Sequence, residues 1–156
     1  MREYAKEMRK LIGHEILLTV GCGAIIEDES GRILLQSRKD TDLWGIPGGL
    51  MELGETFLET LERELFEETN LSVIEPKLFG IYSGLSGFGE YPNGDKVYSV
   101  QIIFKTNNYT GTLKQEGNES KEHKFFDKSN LPTVNACQMP FIIDWINNKS
   151  DEIFVR

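Results

Sequence analysis

The sequence predicts a single domain of the α/β or α+β class, on three observations. Apolar, β-branched segments alternate with helical segments along the chain. The length of 156 residues suits one domain, which would bury roughly two thirds of the surface of its unfolded chain. No internal repeat, low-complexity segment or interdomain linker divides the sequence.

A leading helix and two strands open the predicted order of elements. Within the leading segment 1–13, a short helix is expected over residues 3–12. Residues 16–27 are apolar and β-branched, and residues 33–38 follow them after the turn sequence DESG. This pattern predicts a β-hairpin.

The clearest helix is expected over residues 57–69. Thr56 followed by Glu59 matches the capping box, in which each residue satisfies a backbone N–H at the start of a helix. Asn70 suits the left-handed conformation that ends many helices. Both ends of this helix are therefore predicted.

The rest of the chain predicts three strands and a closing helix. The strands are expected over residues 73–83, 97–106 and 122–127, and the helix over residues 140–147. Residues 84–96 contain three glycines within six residues, followed by the sequence YPNGD. That connection is expected to be a mobile, flexible loop ending in a turn.

The charge of the chain restricts the classes of function. A formal net charge of −8 argues against stable, sequence-independent binding of nucleic acid, because such binding needs Lys and Arg to neutralise many phosphates. It does not exclude a nucleotide whose phosphates arrive with metal ions. A small-molecule partner and a homodimer are both compatible with this charge.

A soluble, cytoplasmic protein is predicted. Cys22 and Cys137 lie far apart without CxxC spacing, so two reduced, packed thiols are expected. The N-terminal residues lack the apolar core and the cleavage site of a signal peptide. No apolar run approaches the roughly 18 residues that a membrane span needs.

The helix expected over residues 57–69 is rich in acids. Glu64, Glu67 and Glu68 share an arc of about 100° at 100° per residue, and the arc overlaps the edge of the apolar face. A solvated surface would not need acids there, where burying an unpaired carboxylate is costly. Two interpretations stay open on spacing alone: a solvated Glu-rich helix, or a site for a hard divalent cation such as Mg²⁺.

A longer pattern includes this helix. Gly49 is followed after five residues by Glu55, and after seven more by Arg63-Glu64-Leu65-Phe66-Glu67-Glu68-Thr69-Asn70-Leu71. Residues 49–71 resemble the Nudix box of the Nudix (MutT-like) hydrolases, G-x5-E-x7-R-E-U-x-E-E-x-G-U, where U is a bulky aliphatic residue. The last glycine of the box is Asn70 here, the next-best residue for a left-handed helix end.

The resemblance extends over about residues 16–147. It includes the sequence WGIPG (44–48) before the box and the sequences FFD (125–127) and LP (131–132) after it. It implies an α/β/α sandwich around a mixed β-sheet, as one domain over residues 1–156. It also implies a metal-dependent enzyme that uses water to split a nucleoside diphosphate linked to another moiety.

The resemblance implies a set of metal ligands for Mg²⁺ or Mn²⁺. Glu64, Glu67 and Glu68 resemble the family's ligands, and the carbonyl of Gly48 resembles a further one. Such families often place another carboxylate on a later loop, and Glu119 has the spacing that best resembles it. Gly117 and Asn118 are expected to let the chain bend beside it. Glu116 and Glu122 are rivals for that role, and an exposed loop acid is the alternative.

The resemblance also suggests roles for further residues. Glu64, Glu67 and Glu119 are candidates for the base that accepts a proton from the attacking water, and the sequence does not choose among them. Arg38 is a candidate phosphate contact and Tyr91 a candidate stacking partner for a base. The alternatives are a solvated strand-end charge and a packed turn tyrosine. Structural support is expected from Gly49, Glu55 and Arg63, with Arg63 holding the Glu67 carboxylate.

Substrate identity stays open within the family. An oxidised nucleoside triphosphate, ADP-ribose, a dinucleoside polyphosphate and a sugar nucleotide are all compatible with the sequence. A non-catalytic nucleotide-sensing or ADP-ribose-sensing domain is the alternative function on the same fold. It is disfavoured because such a domain is expected to have lost acids of the box, and all of them are present. An isomerase on the same scaffold has no positive support.

Overall fold

The computed structural model describes residues 3–117, 119–148 and 150–156. Within them the helices are α1 (Glu3–Ile12), α2 (Phe57–Thr69) and α3 (Met139–Asn147). The strands are β1 (Leu17–Ile26), β2 (Ile33–Arg38), β3 (Trp44–Gly45), β4 (Gly48–Leu50), β5 (Ser72–Val73), β6 (Lys77–Tyr82), β7 (Phe88–Glu90), β8 (Lys96–Thr106), β9 (Tyr109–Thr110), β10 (Ser120–Phe126) and β11 (Phe154–Val155). Short 3-10 turns occupy Leu85–Gly87 and Ala136–Gln138.

The strands form a mixed central sheet and two smaller sheets. The order in the central sheet is β11-β6-β8-β1-β4, and β7 also pairs with β8. Strands β1 and β8 are parallel from Leu17 opposite Val97 to Ile26 opposite Thr106, whereas β1 and β4 are antiparallel. The second sheet has the order β10-β2-β3, and β5 pairs with β9.

Helices α2 and α3 cover opposite faces of the central sheet, because side chains alternate along β1. Cys22, Ala24 and Ile26 belong to the apolar core that contains Leu61 and Leu65 of α2. Ile25 belongs to the other core, which contains Phe141, Ile142 and Trp145 of α3. The architecture is therefore three layers, α/β/α.

The predicted hairpin of the first two strands is wrong. Between β1 and β2 the structure has an isolated bridge from Glu27 to Ile33, and β2 instead pairs with β10 and β3. Strand β1 lies between β8 and β4, so both of its edges are already occupied. The turn between the two strands therefore carries the chain from one sheet to another.

The single strand expected over residues 73–83 is also wrong, because two strands occupy it. Glu75 has a left-handed φ of 46°, and Pro76 follows it without a backbone donor. These two residues separate β5, which pairs with β9, from β6, which pairs with β8. The apolar composition on both sides concealed the break.

The connection expected to be a loop, residues 84–96, contains a short antiparallel hairpin. Strand β7 pairs with the start of β8, and the Tyr91 N–H donates to the Asp95 carbonyl across the turn. Helix α1 is attached to this turn, since Arg9 Nη2 donates to the Lys96 carbonyl at 2.7 Å. His14 Nδ1 lies 2.8 Å from an Asp95 carboxylate oxygen. The hairpin and α1 thus form one wall.

Both predicted ends of helix α2 are confirmed. The Thr56 side chain accepts from the Glu59 N–H, and the Glu59 carboxylate accepts from the Thr56 N–H at 2.8 Å. Asn70 ends the helix with a left-handed φ of 63°. Throughout the ranges that the structure describes, no helix combines the length and the apolar character needed to cross a lipid bilayer.

Candidate active site

A cleft of about 540 Å³ opens between α1, the end of β2, strand β4 and helix α2. Its size lies in the range typical of small-molecule sites. One end is acidic and the other combines small apolar residues with polar ones. The residues that line it are Ala5, Arg9, Leu17, Thr19, Arg38, Lys39, Asp40, Gly48, Gly49, Leu50, Glu64, Glu68, Tyr91, Pro92, Asn93, Asp95, Val97 and Glu119.

Helix α2 places Glu64 in the middle of its buried face. Glu64, Leu61 and Leu65 all have 0% exposure, whereas Phe57 is 44% exposed. The buried face is therefore rotated from the purely apolar stripe, and the acid is inside it rather than at its edge. A carboxylate in that position is costly without compensation.

Arg63 supplies part of that compensation. Its Nη1 donates to Glu64 Oε1 at 2.7 Å, and its Nε and Nη2 donate to the two oxygens of Glu55 at 2.6 and 2.8 Å. The Arg63 hydrogen bond is the main reason that the pKa of Glu55 falls to about 2. The expected hydrogen bond from Arg63 to Glu67 does not form. Nη1 of Arg63 lies 3.9 Å from Glu67 Oε2, which is an ion-pair distance.

Glu68 is held from two sides. Its Oε2 accepts from the backbone N–H of Gly48 at 2.9 Å and from Nε2 of Gln36 at 3.0 Å. Burial raises the pKa of Glu68 to about 8, and the charges of Glu64 and Glu119 raise it further, against the effect of these two hydrogen bonds. Burial and the neighbouring acids therefore disfavour the charged form of Glu68.

Glu67 is separated from the other two box acids. Its side chain is 43% exposed, and it is absent from the described residues that line the cleft. On the helix it lies about 60° from Glu64, on the side away from Glu68. The structure thus brings Glu64 and Glu68 into the cleft and leaves Glu67 at its margin.

Glu119 is the loop acid that the structure brings to the cleft. Its backbone carbonyl accepts from the Lys39 N–H at 3.0 Å, which attaches the segment to the end of β2. All three loop acids are exposed, but Glu116 and Glu122, unlike Glu119, are not among the described residues that line the cleft. Asn118, which was expected to help the chain bend here, lies outside the described residues.

Arg38 and Tyr91 meet across the cleft. The Arg38 guanidinium carbon stands 5.9 Å from the centre of the Tyr91 ring, a distance at which cation–π attraction operates. Nε and Nη2 of Arg38 also donate to the two oxygens of Asp40 at 2.9 and 2.8 Å. Both residues therefore face the space where a substrate would lie, although the sequence offered each only as one of two alternatives.

Sequence reasoning missed Gln36, Thr19, Arg9 and Asp95. Gln36 gave a signal, since it is a polar residue on the same face as Leu34 in an otherwise apolar strand. Asp95 and Arg9 approach within 3.6 Å only because α1 packs on the turn before β8, a contact between residues far apart in sequence. No local pattern predicts such a contact.

The donor chemistry of the acidic end suits a hard divalent cation, although the side chains are not arranged around one. Carboxylates of Glu64, Glu68 and Glu119 and the backbone of Gly48 line the same cleft, and Mg²⁺ prefers oxygen ligands of this kind. Within the described ranges, however, no three His, Cys, Asp or Glu side chains form a group ready to hold an ion. The residues therefore fit the ion by type, and their side chains would have to turn toward it.

Comparison with known proteins agrees with this geometry. The family model described as NUDIX domain matches residues 17–145. An ADP-ribose pyrophosphatase of Methanocaldococcus jannaschii is 35% identical over 135 residues, which cover 84% of this chain and 75% of that protein. The match to the family model therefore extends from β1 into α3 and contains the whole of helix α2.

Two solved structures have the same fold. A MutT NUDIX hydrolase from Burkholderia pseudomallei aligns with a TM-score of 0.69 at 24% identity, over 81% of this chain and 97% of that chain. The Mutator MutT protein from Bacillus halodurans aligns with a TM-score of 0.68 at 27% identity, over 87% and 86% of the two chains. They confirm the predicted α/β/α sandwich around a mixed sheet.

Proposed function

The chain belongs to the NUDIX family and is a hydrolase of phosphoric anhydride bonds, and from this premise we propose that it is a divalent-metal-dependent pyrophosphohydrolase of a nucleoside diphosphate linked to another moiety. The family predicted from the box at residues 49–71 is thus the family of the protein. The substrate, the metal and the roles of individual residues belong to the proposal.

One observation carries the proposal: the box carboxylates Glu64 and Glu68 share one cleft with the loop acid Glu119. Glu64 has 0% exposure, and burial together with neighbouring acids raises the pKa of Glu68 to about 8. A cation brought with the phosphates of a substrate would relieve both costs.

Mg²⁺ or Mn²⁺ would be held by oxygens of Glu64, Glu67, Glu68 and Glu119 and by the carbonyl of Gly48. When bound, such an ion neutralises phosphate oxygens and lowers the pKa of water at the site. Arg63 donates a hydrogen bond to the Glu64 carboxylate, and Glu55 holds the Arg63 guanidinium in place. Gly49 allows strand β4 to approach it.

The chain's own residues bind the substrate and move the proton. The oxygen of water attacks a phosphorus atom, the bridging P–O bond breaks, and one carboxylate accepts the proton that the water loses. Glu119 is the favoured acceptor because it is the loop acid that lines the cleft together with Glu64 and Glu68, and Glu64 and Glu67 are the other candidates. Arg38 contacts a phosphate, and Tyr91 stacks on a base.

ADP-ribose is the first substrate to test. The Methanocaldococcus jannaschii relative with that activity in its name is 35% identical over 84% of this chain. A cleft of about 540 Å³ also has room for a nucleoside diphosphate carrying a second sugar. Oxidised nucleoside triphosphates, dinucleoside polyphosphates and sugar nucleotides complete the set.

A hydrolysis screen tests the proposal. The purified chain is incubated with each compound and with Mg²⁺ or Mn²⁺, and both phosphate-containing products are quantified. We expect cleavage of at least one compound, which stops in EDTA and falls by more than tenfold in Glu68→Gln. Glu62→Gln, an exposed acid on the same helix, is the matched control and should keep full activity. Absence of cleavage with every compound, or full activity in a folded Glu68→Gln protein, would contradict the proposal.

A further inference from the structure

Gln36 connects the acidic helix to the strand that follows Glu119. Its side chain is on β2 and only 5% of the residue is exposed. Its Nε2 donates to Glu68 Oε2 at 3.0 Å, and its Oε1 accepts from the hydroxyl of Ser120 at 3.0 Å. His123 Nε2 stands 3.1 Å from the same Oε1.

These contacts determine which way the amide faces. With Oε1 toward Ser120 and His123, the amide oxygen accepts from the Ser120 hydroxyl. It also accepts from His123 in the tautomer that carries the ring proton on Nε2. Reversing the amide would direct its NH₂ group at those donors and its oxygen at the Glu68 carboxylate. Turning the side chain over would therefore lose the hydrogen bond to Glu68.

The bond to Glu68 also fixes the orientation of that carboxylate. Gln36 Nε2 and the Gly48 N–H both donate to Oε2, at 3.0 and 2.9 Å, from β2 and β4 respectively. Two donors on one oxygen restrict rotation of the carboxylate about its last bond. The other oxygen, Oε1, takes no part in these two contacts.

The other end of Gln36 acts on the segment that carries Glu119. Ser120 follows Glu119 directly and pairs with Arg38 where β10 begins beside β2. The Lys39 N–H donates to the Glu119 carbonyl at 3.0 Å. Strand β2 therefore holds the main chain at Glu119 through its backbone and, through Gln36, holds the neighbouring side chain.

We propose that Gln36 is a positioning residue that keeps Glu68 and the Glu119 segment in one geometry across the acidic end of the cleft. The inference rests on the proposed function, in which both acids serve a divalent ion. Groups that orient metal-binding side chains through hydrogen bonds typically change metal affinity or activity by about 10–100-fold when they are removed. Gln36 orients the Glu68 carboxylate through such a hydrogen bond.

The test measures ion binding separately from catalysis. Mn²⁺ affinity of the whole chain is determined from the electron paramagnetic resonance signal of unbound Mn²⁺, and kcat and KM are determined with the substrate that the screen identifies. Gln36→Met keeps the length of the side chain and removes its polar ends. We expect Mn²⁺ to bind about 10–100-fold more weakly, with a lower kcat and an unchanged KM for the nucleotide.

Ser37→Ala is the matched control. Ser37 is the next residue of β2, is 6% exposed and lies on the opposite face of the strand. Its replacement should leave Mn²⁺ affinity and kcat unchanged. A general loss of packing in β2 would affect both variants, whereas the positioning role affects Gln36→Met alone.

The outcomes separate this inference from the proposed function. A wild-type chain that binds no Mn²⁺ overturns the proposed function, and the inference with it. A wild-type chain that binds Mn²⁺ no better than folded Gln36→Met overturns the inference alone. If Gln36→Met does not fold, Ser120→Ala replaces it, because it removes one donor to Oε1 and leaves the hydrogen bond to Glu68 possible. Weaker Mn²⁺ binding in that variant supports the inference, and unchanged binding overturns it.

Discussion

The backbone at Gly49 lies directly against the carboxylate of Glu64. A Cβ atom at position 49 would stand 2.4 Å from the Glu64 carboxyl carbon and 2.4 Å from its Oε2. No real Cβ tolerates such a distance, so β4 reaches the buried acid only because residue 49 has no side chain. This close approach explains the glycine at the start of the box better than any requirement on its φ angle.

Gly49→Ala should therefore displace Glu64 and damage both folding and activity. The Glu64 carboxylate is held by Arg63 Nη1 at 2.7 Å, so moving it aside would break that ion pair. Forcing an extra carbon into a packed interior typically costs about 1–3 kcal/mol. We expect a lower free energy of unfolding in urea, and a loss of hydrolysis that stays after correction for the unfolded fraction.

Gly21→Ala provides the control on the neighbouring strand. A Cβ there would meet the Gly49 carbonyl at 3.4 Å and the Ser99 hydroxyl at 3.8 Å, which are ordinary contacts. Its effect on unfolding and on hydrolysis should be small. Equal losses of stability and hydrolysis in the two variants would show that the close contact between Gly49 and Glu64 is not what makes Gly49→Ala harmful.

Thr19→Val should stabilise the protein in the absence of substrate. The Thr19 hydroxyl is buried and, among the residues that the structure describes, finds no hydrogen-bond partner. A buried polar group without a partner costs about 1–3 kcal/mol, and Val has nearly the same shape and favours strands. Urea unfolding monitored by circular dichroism should give a higher midpoint for Thr19→Val than for the wild type.

Thr106→Val is the matched comparison for that change. Thr106 is 7% exposed, but its hydroxyl donates toward the Ile74 and Asn108 carbonyls at 3.2 and 3.1 Å and accepts from the Asn108 N–H. The same substitution should therefore lower the midpoint at this site. A fall in the midpoint of Thr19→Val as well would mean that its hydroxyl has a partner, such as an ordered water molecule.

Arg156→Gln should destabilise the protein at neutral pH and have less effect in acid. Nε and Nη2 of Arg156 donate to the two oxygens of Asp144 at 2.9 and 2.8 Å, and the Tyr82 hydroxyl donates at 2.8 Å. These hydrogen bonds hold the pKa of Asp144 below its usual value, and the bond from Arg156 has the largest effect. An acid with a lowered pKa stabilises the fold above its unfolded pKa of about 3.9 and loses that contribution as the pH falls through the folded pKa.

The measurement is the melting temperature of wild type and Arg156→Gln between pH 7 and pH 3. Their difference should be largest at pH 7 and shrink below about pH 4. Arg32→Gln is the control, because its partner Asp28 keeps the backbone donors of Ser30 and Arg32, each at 2.9 Å. A difference for Arg156→Gln that does not change with pH would exclude Asp144 as its cause.

The parts of this fold that the sequence predicted are those that local chemistry determines. Helix α2 begins and ends as expected because Thr56, Glu59 and Asn70 each act on backbone groups of the same helix. The spacing of Glu64, Glu67 and Glu68 could be interpreted for a similar reason, since it depends on a single helix, and their metal-binding role stays a prediction. Local signals were sufficient there.

The errors arose where partners are distant in the sequence. Strand β2 was assigned to β1, its neighbour in the chain, but it pairs with β10, about ninety positions later. The contribution of Gln36 depends on that pairing, because Ser120 and His123 reach it only in this register. The wall formed by α1 and the turn near Asp95 depends on contacts of the same kind. Nothing in the residues around Gln36 or Arg9 encodes these partners.

Glu119→Gln tests which acid accepts the proton in catalysis. Glu119 lines the cleft together with Glu64 and Glu68, and the change keeps its shape while removing its basicity. A general base typically contributes about 10²–10⁴-fold, so kcat should fall by that order with little change in KM. Glu116→Gln and Glu122→Gln are the controls, since both acids are exposed outside the described lining. A loss confined to either control would show that the wrong loop acid was chosen. Full activity in all three would return the base to helix α2, at Glu64 or Glu67.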